Sequence, residues 1–264
     1  MISLQSVWRA SRLTVLLGGV MLLAGAVHAE PVKVRYGEGI VHGFLALHTL
    51  EGKELANGEV IQSIEGDRVS SQLVFHFKDG SVYDQHTVFS QHREFRLLNY
   101  HLVMKGPIFP IPMDVMVDAD SGRMSVRYTE DGKEKFATKN FDPQPDLANG
   151  MMPILLRNTV GDAGAIMASM AVATPKPRLV TLVVTPEGSD PFSFGSFKHK
   201  ALRYRVQAKI GGLAGLLAPL VCKQPPDTYV WVLGGDAPAF LRSEGPMFPG
   251  GPIWRIDLSN PEWH

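Results

Sequence analysis

The strongest constraint on the fold is punctuation. Three clusters, Lys78-Asp79-Gly80-Ser81, Asp120-Ser121-Gly122 and Glu130-Asp131-Gly132-Lys133, set glycine beside aspartate or serine between β-prone runs. Such positions call for positive φ, which glycine adopts without a Cβ clash, so they read as reversals between antiparallel strands. Residues 32–141 therefore form a meander, with its clearest strands at 73–77, 81–89 and 95–104. Pro107, Pro110 and Pro112 then interrupt the ladder, because proline lacks the amide donor a central strand needs.

The texture changes at residues 142–158. Leu147, Met151, Ile154 and Leu155 recur at helical spacing, with Asn149 placed as N-cap and Pro153 in the first turn, where a missing N–H does no harm. Strand-like runs resume at 165–173, 179–185, 201–210, 228–233 and 253–258. Strands do not alternate with long helices and no fixed repeat emerges, which excludes a doubly wound α/β chain. The expected fold class is mainly β: an antiparallel meander forming a curved open sheet or incomplete barrel, with one short helix, since so many strands must hide their edges. The expected organisation is a signal peptide over residues 1–29 and a single β-rich domain over 30–264, with a subdivision near the 142–160 helix as the alternative.

Export is expected from the leader. Arg9 and Arg12 precede an uncharged apolar run that ends in Val27-His28-Ala29, supplying the basic region, apolar core and small-residue cleavage site of a secretory signal. The run is near the lower length limit for a spanning helix and contains Gly18, Gly19 and Gly25, so cleavage is favoured over anchoring and the destination is periplasmic or secreted. The 26 basic and 26 acidic side chains cancel, and removing Arg9 and Arg12 with the leader leaves the chain close to neutral. That excludes nucleic acid, which demands a clustered positive surface. Cys222 is the only cysteine, so no disulfide partner exists within the chain.

A two-residue loop at Asp79-Gly80 would pair Phe75 with Asp84 and put Leu73, Phe75, Phe77, Val82, Val88, Phe95, Leu97 and Val103 on a core face. Alternation then adds Asp84, His86, Asn99 and His101 to the same face, a polar island in an apolar concavity. Such an island suits the polar head of a ligand, with Phe75 and Phe95 beside its apolar part. Its competing reading is a hydrogen-bonded structural network. The same island could shuttle a proton or hold a metal through two imidazoles and a carboxylate, but His42 and His76 fall elsewhere and paired metal-binding cysteines and phosphate-binding motifs are missing, so no metal or cofactor is expected.

Gly-x-Ser-x-Gly and His-Glu-x-x-His are missing, and Ser193 and Ser196 lack the leading glycine of a nucleophile elbow, so no catalytic residue is assigned. The charge-free stretch at residues 210–222 is too short to span a membrane. Its Leu213 and Leu216 need apolar surroundings, either as core or as a lip over a lipid pocket or in transient contact with a membrane surface.

The run Lys223-Gln224-Pro225-Pro226-Asp227, with Val230-Trp231-Val232, Pro238-Ala239-Phe240 and Gly251-Pro252-Ile253-Trp254-Arg255-Ile256, resembles a group of exported bacterial β-rich proteins without assigned activity. Phe75-His76-Phe77-Lys78-Asp79-Gly80-Ser81 and Pro175-Lys176-Pro177-Arg178-Leu179-Val180 resemble earlier elements of that group. The layout is more loosely similar to periplasmic lipoprotein carriers, which bind acyl chains in a half-barrel; that implies a fold and no residue role. The leading expectation is an exported, non-enzymatic protein that binds a lipid or other apolar small molecule in its curved sheet. The alternative is a structural or interaction module of the envelope whose interior is filled by side chains such as Phe75, Phe77, Phe95 and Trp231.

Overall fold

The computed structural model describes residues 31–159, 164–194, 197–209 and 225–259. Eight strands follow one another outward as a meander: β1 (Val41–Thr49), β2 (Glu54–Glu65), β3 (Arg68–Phe77), β4 (Val82–Ser90), β5 (Arg96–Lys105), β6 (Met113–Asp118), β7 (Arg123–Glu130) and β8 (Lys133–Asn140). The chain then crosses to the opposite edge through α1 (Met152–Asn158) and returns inward as β9 (Ile166–Val172), β10 (Arg178–Phe194), β11 (Phe197–Lys209), β12 (Thr228–Leu233), β13 (Phe240–Pro246) and β14 (Ile253–Ser259). Pairing of β14 with β1 joins the two meanders into one antiparallel sheet of fourteen strands, open between β8 and β9. The fold is mainly β with one short helix.

Turn chemistry produces these reversals. Asp131 and Gly132 have φ of +53° and +71°, a primed two-residue loop whose twist suits a hairpin. At the β3–β4 turn the loop has three residues instead of two. Phe77 accepts from Gly80 N–H at 3.0 Å and donates to Ser81 at 2.9 Å, with Gly80 at φ +84°. Phe75 therefore pairs with Tyr83, not Asp84. A shift of one residue exchanges the faces of the whole following strand, because side chains alternate with period two.

The sheet curls around a single apolar cluster. Phe77 on β3 and Trp254 on β14 are three strand intervals apart, about 14 Å in a flat sheet, yet their ring centroids lie 5.7 Å apart. Small Ala56, opposite Phe77 on β2, leaves room for this approach. Phe109 and Phe248 complete the aromatic group, each 5.5 Å from the other and edge-on to Phe77 or Trp254. Phe75 lies across Gly58, where an added Cβ would stand 2.3 Å from the ring. The glycine there is required by packing, and the ring covers backbone that a side chain would otherwise shield.

Helix α1 begins at Met152, with Pro153 in its first turn, but Met151 occupies the N-cap position without a side-chain hydrogen bond. Asn149 is not the cap. Its side chain instead donates to the Ala171 carbonyl and accepts from Ala171 N–H, both at 2.8 Å, tying the approach to the helix onto β9.

Candidate functional site

Asp84, His86, Asn99 and His101 do share one face of the sheet, but it is the outer one. The row Ile61, Gln72, His86, His101, Met116 runs across it, with Val74, Asp84, Val103, Asp114 as the next. The expected position in the concavity is corrected by the three-residue turn, which also turns Val82 and Val103 outward. The connection from β4 to β5 spans five residues, Ser90 pairing with Arg96, and a bulge at Val88/Phe89 resets the register, so Asn99 lies opposite Val88. His86 faces His101 directly.

The outer residues pair with neighbours rather than with each other. Gln72 Nε2 donates to Asp84 at 3.0 Å, Ser70 Oγ meets His86 Nε2 at 2.8 Å, and His101 Nε2 lies 2.9 Å from Asp114. Among the described residues no group of three or more His, Cys, Asp or Glu side chains is arranged to hold a metal ion.

Of the other expected site residues, Phe75 is fully buried on the inner face and Phe95 is buried in the β4–β5 connection, where its N–H donates to Val32 at 2.9 Å. Leu213 and Leu216 lie outside the described residues. Trp231 is on the outer face, between Arg203 and Arg242, with its Nε1 donating to Asp190 at 2.8 Å; Trp254 takes the expected place in the core.

A polar island exists inside, built one position along from the expected one. Tyr83, Gln85 and Thr87 on β4 and Tyr100 on β5 point inward. Both tyrosine hydroxyls donate to Gln85 Oε1, at 3.0 and 3.4 Å. Burial pushes the Tyr83 hydroxyl up to about 12 and holds Tyr100 well above its usual range. Both phenols thus stay protonated. Thr87 Oγ1 is buried without a hydrogen-bond partner. Above it sits Gly150, at φ +70°, whose added Cβ would fall 2.2 Å from that oxygen and 3.0 Å from Gln85 Nε2.

The inward row continues from Thr87 through Ser71 to Gln62 on β2. Gln62 Nε2 donates to Glu38 at 3.1 Å and to the Gly39 carbonyl at 2.8 Å. Arg157 of α1, itself part-exposed, forms an ion pair with the buried Glu38, and Asn158 accepts from the N–H groups of Arg35 and Tyr36 at 2.9 and 2.7 Å. Residues 31–40 are thereby strapped between the helix and the β4–β5 turn, where Gln91 Oε1 accepts from Glu38 N–H at 2.6 Å. The chemistry of this cluster is that of a clasp: its donors and acceptors are matched to protein groups, with Thr87 Oγ1 and Arg157 Nε the exceptions. The alternation Tyr83-x-Gln85-x-Thr87 was readable as a polar stripe, and recognising Lys78-Asp79-Gly80 as a three-residue loop would have turned it inward.

Strap, helix and sheet meet at an apolar crevice lined by Val32, Phe95, Leu155, Met152 and Met167, among others, enclosing about 10 Å³. On the outer face of the second meander, Arg242 pairs with Asp257 at 2.6 Å, Arg255 with Glu244 at 2.8 Å, and Arg205 with Glu187 at 3.1 Å.

No known family model matches the chain, and no curated protein does. Two solved structures have a similar layout. One is a β-barrel-like protein of domain of unknown function DUF1849 from Brucella abortus, 10% identical, covering 84% of this chain and 100% of that one, with a TM-score of 0.42. The other is the hypothetical lipoprotein YmcC from Escherichia coli, 12% identical, covering 84% of this chain and 86% of that one, with a TM-score of 0.36.

Proposed function

We propose that this protein is an exported interaction module of the cell envelope, a rigid β scaffold that meets its partner through its outer surface and edges. The observation that carries this reading is the close packing of the inner face among the described residues. The crevice beneath the strap encloses about 10 Å³, roughly one water molecule, against about 300–1,000 Å³ for typical small-molecule sites. Phe75, Phe77, Phe89 and Phe95 occupy the concavity that a lipid would need. The inner polar groups support the same reading, because they hold the strap and helix in place. Export rests on the leader, with Arg9, Arg12 and the Ala29 cleavage position.

Native mass spectrometry of the exported protein, purified without detergent, tests the proposal. The expected spectrum is that of the protein without a small molecule attached. A stoichiometric lipid adduct would overturn the filled-core reading in favour of a carrier of apolar ligands.

A further inference from the structure

The two edges of the sheet are treated differently. Along β9 the chain covers its own edge: Ala148 N–H donates to the Ser169 carbonyl at 2.8 Å, Ser169 N–H donates to Asp146 at 3.1 Å, and Asn149 brackets Ala171. Among the described residues β8 pairs only with β7. The two-residue loop makes Glu130 and Lys133 a hydrogen-bonded pair, so alternation sends the N–H and C=O groups of Glu134, Phe136 and Thr138 away from β7. Among the described residues no backbone group bonds to them.

Side chains define what this edge accepts. Lys133, Lys135 and Lys139 share one face of β8, with Lys135 ion-paired to Glu130 at 2.5 Å, while Phe136 stands 64% exposed on the other face. Phe136 neighbours Arg127, and Lys139 has no carboxylate partner in its row, where Met124 lies opposite. A second β8 would set lysine against lysine, which disfavours self-pairing. An acidic strand would set carboxylates against them instead.

We propose that β8 is a docking strand, joined by an extended acidic segment of another protein through β-addition. Main-chain bonds to Glu134, Phe136 and Thr138 supply register, the lysines select alternating acidic side chains, and Phe136 takes an apolar residue on the opposite face. This proposal rests on the interaction-module reading and names the chemistry of its partner.

The test uses the mature protein and two fluorescent decapeptides, one alternating glutamate with valine and the other lysine with valine. The expected result is at least about 10-fold tighter binding of the glutamate peptide, with slower amide exchange at Glu134, Phe136 and Thr138 when it is bound. Thr138→Pro removes an outward N–H that β7 does not use, so the fold persists and binding falls about 10-fold. Should that variant unfold, K135E combined with K139E replaces it, and the preference should reverse toward the lysine peptide. Equal affinity for both peptides, unchanged binding in Thr138→Pro, or exchange protection elsewhere would overturn the proposal. So would dimers abolished by Thr138→Pro, since the occupant would then be a second copy. None of these outcomes bears on lipid content, so the filled-core reading stands or falls separately.

Discussion

Gly80 decides more than its own conformation. Its φ of +84° closes a three-residue loop with open space around the absent Cβ, so a larger side chain would meet strain and no clash. Gly80→Val should cost about 1–3 kcal/mol, read as a lower denaturation midpoint with unchanged m-value. Thr87 should behave in the opposite way. Its hydroxyl is buried and unpartnered, so Thr87→Val keeps the shape, removes a desolvated polar group, and should stabilise by about 1 kcal/mol. The inward tyrosines add a pH signature. Because burial raises the folded-state value of Tyr83 from 10 to about 12, the folded protein retains a proton that the unfolded chain releases. The contribution is complete below pH 10 and is lost as pH rises toward 12. Urea titrations across that interval should show a steady decline in stability, with a shallower slope in Tyr83→Phe.

Among the elements, the strap and α1 depend on each other. Glu38 is nearly inaccessible, with 4% of its side chain exposed, and Arg157 is its charged partner. Arg157→Ala would leave a buried carboxylate unpaired and should cost about 3–5 kcal/mol, whereas adding Glu38→Gln should recover part of the loss. Limited proteolysis within residues 31–40 is the local readout: rapid cleavage is expected in Arg157→Ala and slow cleavage in the double variant. The α1 region also shows why a helical spacing pattern can mislead about caps. Asn149 has the right chemistry and position for an N-cap, but two backbone groups of Ala171 on β9 compete for its side chain and win. β13 was hidden for a related reason. Gly245 and Pro246 disfavour a strand locally, while the narrow space beside Thr228 requires a residue without a Cβ at position 245.

At the scale of the whole molecule, the closing contact is β14 on β1, which unites strands far apart in sequence. Each meander alone would expose an apolar inner face, so residues 30–159 expressed separately should aggregate or bind a hydrophobic dye, while the full mature chain should not. Export is the second expectation at this scale. N-terminal sequencing of protein recovered from outside the cytoplasm should begin at Glu30, and chains retaining Met1 in the membrane fraction would reject cleavage.

The mainly β class, the meander of the first half, the short helix and the open, curved sheet were legible in the sequence, because turn residues and alternation act locally. Asp84 with His86, and Asn99 with His101, were legible as sharing a face within each strand, because alternation is local; that the two pairs share a face with each other follows from the β4–β5 connection and its bulge at Val88/Phe89. Which face turns inward was decided by tertiary structure. One additional loop residue at Lys78-Asp79-Gly80 exchanged Asp84 and His86 for Tyr83, Gln85 and Thr87 in the interior. Likewise, Trp254 and not Trp231 entered the core, a choice made by curvature that brings β14 over β3. The different treatment of the two edges also depends on a non-local event: the chain must cross from β8 to β9 before residues 146–149 can cover β9 and leave β8 open. Local chemistry specifies strands and reversals, but facing and closure depend on register, and register depends on contacts between distant segments.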